Sequence, residues 1–222
     1  AKLADYRDSD TGRHLDRICA YVVLLAEQLS QTRPDIDSEY LEDLRLAASL
    51  HDIGKVGVPD AVLLKPGRLT QAEMSIIHRH PVIGAATLMA IRSRVGVDDP
   101  LLTMSIDIAL RHHERWDGTG YPDGLSGESI PLSARILAVA DVYDALTSVR
   151  VYKPAMTHSK AVKIIRESSG SHFDPAVVEA FEAIADRFDA IRHAMDPSVG
   201  KSTIATDPKP AKDRHRSEIV AA

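Results

Sequence analysis

The chain has little of what usually builds disulfide-rich, membrane-spanning or nucleic-acid-binding proteins. Cys19 is its single cysteine, so it forms neither an intrachain disulfide nor a thiolate zinc cluster. No apolar run is long enough to cross a bilayer, and no signal-peptide pattern opens the chain. The 27 basic and 32 acidic side chains give a net charge of −5, which argues against a strongly basic nucleic-acid binder. These absences favour a protein of the reducing cytosol, and we expect a cytoplasmic location.

The spacing of the apolar residues predicts helices. Leu15, Ile18 and Val22 recur at helical intervals, which predicts a helix over about 11–31. Capping signals and apolar periodicity predict three more long helices: over 101–114, from Pro131 and from Pro175.

Two helix ends are predicted to carry polar side chains. The apolar face of the second helix extends from Ala48 to His51, and Gly54 is expected to end that helix. Pro81 suits the first turn of a later helix, which makes His80 its expected N-cap.

The same patterns predict one all-α domain. No segment alternates apolar and polar residues as a half-buried strand would, and no internal repeat is present. We expect a bundle of about seven to eight helices over residues 1–195. Residues 196–222 are polar, with prolines and mixed charge, and are predicted to be a disordered tail.

Histidine is the residue type that stands out, with ten histidines against six tyrosines and three phenylalanines. A lone histidine on a helix face is more often a hydrogen-bonded structural group than a metal ligand. The neighbours His112 and His113 are only a modest signal, since adjacent residues on a helix diverge by about 100°. Asp141 lies in an apolar run, where a buried carboxylate needs a cation or a metal as its partner.

Imidazoles and carboxylates without thiolates are typical ligands of iron, manganese or zinc. A carboxylate such as Asp52, beside His51, can bridge two ions, and a two-metal centre activates water for attack on phosphorus. Lys55, three residues further on, would stabilise the charge that develops on the phosphoryl oxygens.

Five segments together resemble one known family. Residues 51–55, HDIGK, resemble the HD superfamily of metal-dependent phosphohydrolases, and residues 112–125, HHERWDGTGYPDGL, closely resemble the signature of its HD-GYP subgroup. Residues 10–17, 80–84 and 138–148 match further motifs of that subgroup in order. The resemblance covers about residues 8–181 and implies an HD-domain helical bundle with a glycine-rich GYP loop.

The resemblance implies a phosphodiesterase that hydrolyses cyclic di-GMP to pGpG, and onward to GMP, in bacterial second-messenger signalling. It implies two divalent ions, iron or manganese ahead of zinc, and Lys55 and Asp52 as the catalytic pair. Lys55, Arg150, Lys153 and the loop Gly120, Tyr121 and Pro122 would contact the substrate. The implied metal ligands are His14, His51, Asp52, His80, His112, His113 and Asp141.

The resemblance leaves the metal count open at one position. Members with three ions carry glutamate where this chain has Asp10, whose side chain is one methylene shorter. Asp10 is therefore a tentative ligand of a third ion. The resemblance also implies contact between the GYP loop and diguanylate cyclases of the GGDEF type, and a receiver or sensor module upstream.

Two alternatives stay open at this point. The chain could be a catalytically silent regulator that binds nucleotide or a protein partner, or a hydrolase of another cyclic dinucleotide such as hybrid cyclic GMP-AMP. Among the other histidines, His78, His158, His172, His193 and His215 are expected to be solvated or capping residues. Asp144 is expected either to orient a histidine or to form a surface salt bridge, and Trp116 to pack the loop onto the helices.

Overall fold

The computed structural model describes residues 13–96, 99–149 and 155–195, and the regular elements in these ranges are helical. The all-α expectation is confirmed, with more helices than the predicted seven or eight, because several are short. The ten α-helices of the described ranges are α1 Arg13–Ser30, α2 Ser38–Ala48, α3 Asp60–Leu63, α4 Gln71–Ile77, α5 His80–Val95, α6 Pro100–Arg111, α7 Leu132–Thr147, α8 His158–Glu167, α9 Pro175–Ala183 and α10 Ala185–Met195. Two 3-10 turns join them, at Ile53–Gly57 and Gly127–Ser129.

Helix α1 lies at the centre of the main hydrophobic core. Its residues Ile18, Tyr21 and Leu25 are fully buried, as the apolar spacing predicts. The Tyr21 ring stacks on Phe188 of α10 with 4.5 Å between ring centroids, and meets Tyr143 of α7 edge to face at 5.4 Å. Such aromatic contacts add about 0.5–1.5 kcal/mol each beyond the area they bury, so they fasten the C-terminal helices to α1.

Helix α7 is buried over most of its circumference. Ile136 and Val139 on one side and Leu137 and Ala140 on the other are all solvent-inaccessible. A helix that is apolar all round belongs inside a domain. Its few polar side chains therefore lie in a buried setting, and Asp144 among them is only 1% exposed.

A second, smaller hydrophobic cluster joins α5 to α6 through Ala85, Leu88, Ile106 and Ala109. Beside it the 3-10 turn Ile53–Gly57 crosses the start of α5 at backbone contact distance. A Cβ atom added to Gly54 would lie 1.9 Å from the carbonyl oxygen of His80. The crossing therefore brings the segment that carries His51 and Asp52 against the segment that carries His80.

Three helix ends differ from the sequence prediction. Helix α2 ends at Ala48, so His51 lies in the following turn and Gly54 does not end the helix. Helix α6 ends at Arg111 rather than at residue 114. Helix α5 begins at His80 itself, with Arg79 as its N-cap. Apolar periodicity cannot locate these ends, because packing between helices sets them.

None of the described helices is both long enough and apolar enough to cross a bilayer. The predicted tail, residues 196–222, lies outside the described residues and stays a prediction, as does the domain boundary at residue 195.

Candidate metal centre

The predicted metal ligands of the described ranges come from five separate segments. Helix α1 supplies His14, and α7 supplies Asp141. The turn after α2 supplies His51 and Asp52, and the first residue of α5 is His80. His112 and His113 follow the end of α6.

Six of these seven side chains form two groups, each of three residues. In the first triad, His14, His51 and Asp141, the ligand atoms all lie within 4.8 Å of one another. The same holds for the second triad, His80, His112 and His113. His51 of the first triad and His112 of the second are in edge-to-face contact at 5.4 Å between ring centroids. The two triads are therefore neighbours.

Asp52 lies between the triads and turns one carboxylate oxygen toward each. Its Oδ2 is 3.3 Å from Nε2 of His51, in the first triad. Its Oδ1 is 3.2 Å from Nε2 of His80 and 3.8 Å from Nε2 of His112, in the second. A carboxylate placed in this way can bridge two ions.

Hydrogen bonds at Nδ1 turn four of the histidines inward. Nδ1 of His51, His80 and His112 lies 2.8–2.9 Å from the backbone carbonyl oxygens of Ala48, Ile77 and Ile108 respectively. Nδ1 of His14 lies 2.7 Å from a carboxylate oxygen of Asp144. Each Nδ1–H donates to an oxygen acceptor, so a ring that gives up its Nε2 proton directs the lone pair of Nε2 toward the centre.

The centre has more acceptors than the described residues can satisfy. Nε2 of His80 lies 3.2 Å from Nε2 of both His112 and His113, and in neutral rings these atoms face one another with lone pairs. Nε2 of His51 is buried without a hydrogen-bond partner, although Asp52 is close. Buried acceptors of this kind are costly unless a cation receives their lone pairs. The donor set therefore fits divalent metal ions.

Burial and neighbouring charges shift the pKa values of the centre in different directions. Burial, aided by the positive charge of nearby histidines, lowers the pKa of His112 to about 3 and that of His113 well below its usual range. Burial also opposes the charge of His51, but the Asp52 carboxylate outweighs it and raises the pKa of His51 to about 9. Burial alone would raise the pKa of the Asp52 carboxyl, but the positive charges of Lys55 and His51 hold that pKa well below its usual range. His112 and His113 of the second triad are thus neutral, and able to bind metal, at physiological pH.

Asp144 orients His14 from behind. Besides the His14 contact, its carboxylate accepts two hydrogen bonds from the Arg17 guanidinium, at 2.6 and 2.8 Å. All three side chains are buried. Of the two expected roles, the structure places Asp144 in the first, as the partner of a histidine, and its salt bridge with Arg17 is buried rather than on the surface.

A comparison with known protein families shows which family the chain belongs to. Residues 3–177 match the family described as HD domain. The chain belongs to the HD-domain family. The match covers more than half of the chain and includes every predicted metal ligand, and the resemblance to the HD-GYP subgroup is confirmed.

Relatives of this HD domain carry phosphodiesterase names. It is 54% identical over 192 residues to a cyclic di-GMP phosphodiesterase of Vibrio cholerae serotype O1, covering 85% of this chain and 39% of that protein. It is 36% identical to a 3'3'-cGAMP-specific phosphodiesterase 2 of the same organism, covering 88% of this chain and 35% of that protein. The chain thus spans about two fifths of the length of these relatives.

A solved structure shares the fold. Bd1817, a HDG"Y"P protein from Bdellovibrio bacteriovorus, superposes with a TM-score of 0.58 at 22% identity, over 78% of this chain and 51% of that one. At this level of identity the likeness concerns the fold alone.

Lys55 of the HD domain lies beside the Asp52 carboxylate, with its Nζ 2.7 Å from Oδ2. It is therefore close enough to the centre for the predicted role at a phosphate. Three other predicted site residues, Asp10, Arg150 and Lys153, lie outside the described residues, and their roles stay predictions.

Glu114 fastens the GYP loop to the centre, a role that the sequence reading missed. It is 2% exposed, and its carboxylate accepts hydrogen bonds from the backbone N–H groups of Asp123 at 2.8 Å and Leu125 at 3.0 Å. These bonds close the loop over Gly120, Tyr121 and Pro122. The position of Glu114, directly after two predicted ligand histidines, was the sequence feature that could have pointed to it.

Two of the remaining histidines contradict the expectation of solvated or capping roles. His172 is 8% exposed and stacks on Phe173 at 4.1 Å, and the backbone N–H of Trp116 donates to its carbonyl oxygen. His78 is half-buried and stacks on Tyr121. His158 is the first residue of α8, whose N-cap is Thr157 rather than His158, and its Nδ1 lies 2.8 Å from the Tyr143 hydroxyl. His215 lies outside the described residues.

Proposed function

We propose that the chain is a metal-dependent phosphodiesterase that opens cyclic di-GMP to linear pGpG, with GMP as the product of a second cleavage. One observation carries the proposal: two triads of ligand atoms lie on either side of one carboxylate, Asp52. The name of the relative that is 54% identical supports the substrate. The donor set, five imidazoles and two carboxylates without sulfur, supports iron or manganese ahead of zinc.

The residues have distinct roles in this reaction. His14, His51 and Asp141 would hold one ion, and His80, His112 and His113 the other, while Asp52 offers an oxygen to each. When bound by these residues, the ions would supply activation of a water molecule and neutralisation of the phosphoryl oxygens. The two triads would hold two ions, and binding of a third ion would depend on Asp10 as its ligand.

The chain itself supplies charge and orientation. The Lys55 ammonium, held beside Asp52, would stabilise the negative charge that grows on the phosphoryl oxygens. Arg150 and Lys153 are proposed to hold the substrate phosphates. The water oxygen forms a bond to phosphorus, the bond from phosphorus to the ribose 3′ oxygen breaks, and that oxygen leaves with a proton. One cyclic dinucleotide and one water thus give one linear dinucleotide.

Substitution of Asp52 tests the proposal. Asp52→Ala should lose both metal retention and turnover, because it removes the carboxylate shared by the two triads. The exposed aspartate Asp186 on α10 gives the matched control, Asp186→Ala, which should keep both. Elemental analysis after anaerobic loading with iron or manganese, and chromatography of the products, are the measurements. Cleavage of cyclic di-GMP at the normal rate by Asp52→Ala would refute the proposal.

A hybrid substrate is the second candidate, supported by the 36% identical relative whose name specifies 3'3'-cGAMP. Competition between cyclic di-GMP and hybrid cyclic GMP-AMP in one reaction separates the two. A third outcome, saturable binding without product in the metal-loaded protein, would favour a silent regulator instead.

We also propose two kinds of partner. A receiver or sensor module is proposed to lie upstream, in line with the greater length of the relatives. The loop of Gly120, Tyr121 and Pro122 is proposed to contact diguanylate cyclases of the GGDEF type. A binding assay with a purified GGDEF domain, comparing the wild type with a Pro122→Ala variant, tests the second of these.

A further inference from the structure

Three aromatic rings form a stack at the edge of the second triad. The Tyr121 ring lies between two histidines, with its centroid 4.8 Å from that of His113 and 4.0 Å from that of His78. The interplanar angles are 20° and 17°, so all three rings are close to parallel. His113 is a ligand candidate, whereas His78 points no atom into either triad.

His113 is held differently from the other ligand histidines. Among the described residues, His14, His51, His80 and His112 each have an oxygen acceptor at Nδ1, and His113 has none there. Hydrogen bonds to the outer nitrogen normally fix the orientation of a metal-binding imidazole. For His113 that orientation must come from the surfaces of its ring, and Tyr121 covers one of them.

The loop holds Tyr121 firmly enough to serve this purpose. Its backbone N–H donates to the carbonyl oxygen of His113 at 3.2 Å. A Cβ atom added to Gly120 would lie 2.6 Å from that same oxygen, so the loop touches the His113 backbone directly. Glu114 ties down the far side of the loop through two backbone hydrogen bonds. The phenol ring is therefore fixed with respect to His113.

We propose that His78 and Tyr121 are positioning residues that hold the His113 imidazole at its metal-binding angle through this three-ring stack. The proposal rests on the metal centre of the proposed function. Metal ligation draws electron density out of an imidazole, and an electron-rich phenol face attracts a ring of that kind. His78 completes the stack through its own contact with the Tyr121 ring, at 4.0 Å between ring centroids.

Removal of the outer ring is the sharpest test, because His78 is half-buried and lies outside both triads. His78→Ala should weaken binding of one of the two ions about tenfold or more, the usual effect of losing a residue that orients a ligand. His78→Phe keeps a flat ring and should restore most of the affinity. His193→Ala, an exposed histidine on α10, is the matched control and should bind both ions as the wild type does.

Metal titration and spectroscopy give the readouts. Calorimetric titration with Mn²⁺ measures the affinity for each ion, and the visible spectrum of the Co²⁺-loaded protein reports the ligand geometry. His78→Ala should alter that spectrum and His78→Phe should not. The same pair of results is expected for Tyr121→Leu and Tyr121→Phe. Thermal unfolding monitored by circular dichroism verifies that each variant is folded.

Three results would overturn the inference. The first is wild-type Mn²⁺ affinity and Co²⁺ spectrum in His78→Ala. The second is a His78→Phe variant as impaired as His78→Ala, since a ring would then not suffice. The third is a wild-type protein that binds no Mn²⁺ or Co²⁺ at all, which would remove the proposed function as well. In the first two results the wild type still binds metal, so the proposed function survives them.

Discussion

Gly54→Ala should disturb the metal centre through the backbone, without changing any ligand. A Cβ atom at Gly54 would lie 1.9 Å from the carbonyl oxygen of His80 and 2.5 Å from the backbone nitrogen of Gly84. Both contacts are with the backbone of α5, which has no rotamer to change. Ordinary van der Waals contact begins at 3.4 Å, so the 3-10 turn and α5 must separate by about 1.5 Å.

That displacement is large compared with what a metal site tolerates. The turn carries Asp52 and the start of α5 carries His80, and their ligand atoms are 3.2 Å apart. Metal–ligand distances are held to within about 0.2 Å. We therefore expect Gly54→Ala to lose at least one ion and nearly all turnover. The overpacking should also lower the free energy of unfolding by about 3 kcal/mol, the upper part of the usual range.

Gly57→Ala in the same turn is the matched control. Its Cβ atom would meet the Ile83 side chain, at 2.9 Å from Cγ2, and that side chain can turn away. It should cost about 1 kcal/mol and leave the metal content unchanged. Urea unfolding and elemental analysis of both variants are the measurements. Equal stability and equal metal content in the two variants would show that the backbone crossing does not set the distance between Asp52 and His80.

Two further predictions concern buried charges away from the ligand atoms. Asp144→Asn replaces the buried carboxylate that accepts two hydrogen bonds from Arg17, so it should cost about 3 kcal/mol in urea unfolding and weaken Mn²⁺ binding about tenfold. Adding Arg17→Met should recover stability but not Mn²⁺ affinity, and recovery of both would contradict an orienting role for Asp144. Burial, aided by Arg115, lowers the pKa of His172 from 6.5 to about 3, so the unfolded chain takes up its proton first as the pH falls. Between pH 6.5 and 5.0 the wild type should therefore lose about 1.6 kcal/mol relative to His172→Gln in parallel urea titrations, and a constant difference between the two would refute burial of a neutral imidazole.

The residues of the candidate site were predictable from the sequence because each of them lies in a family motif. The family pattern assigns His14, His51, Asp52 and Asp141 to one centre although they are up to 127 residues apart in the chain, and the structure brings them together. Apolar periodicity alone predicts α1 and α7 and places both in the core. It cannot tell how far apart two helices pack, so it does not show that Asp52 turns one oxygen toward each triad.

The residues around the ligands were less predictable, because their roles depend on contacts that form only in the folded chain. Asp144 lies three residues after Asp141 on α7, a spacing that fits either a buried partner or a surface ion pair. His78 and His172 each have an apolar neighbour on one side and a polar neighbour on the other in the sequence. One covers the Tyr121 ring and the other stacks on Phe173, and no local pattern distinguishes these settings from an exposed position.

Helix geometry and the family resemblance gave different predictions for His112 and His113, and the structure shows why. Neighbours on a helix diverge by about 100°, so the predicted helix over 101–114 would point the two imidazoles in different directions. Helix α6 instead ends at Arg111, and the chain then turns so that both Nε2 atoms approach His80. The turn is stabilised by the backbone hydrogen bond from Glu114 to the carbonyl oxygen of Arg111, and by the Tyr121 N–H on the carbonyl oxygen of His113. Because the second of these bonds comes from the GYP loop, the geometry of the second triad depends on a segment that follows its last ligand in the chain.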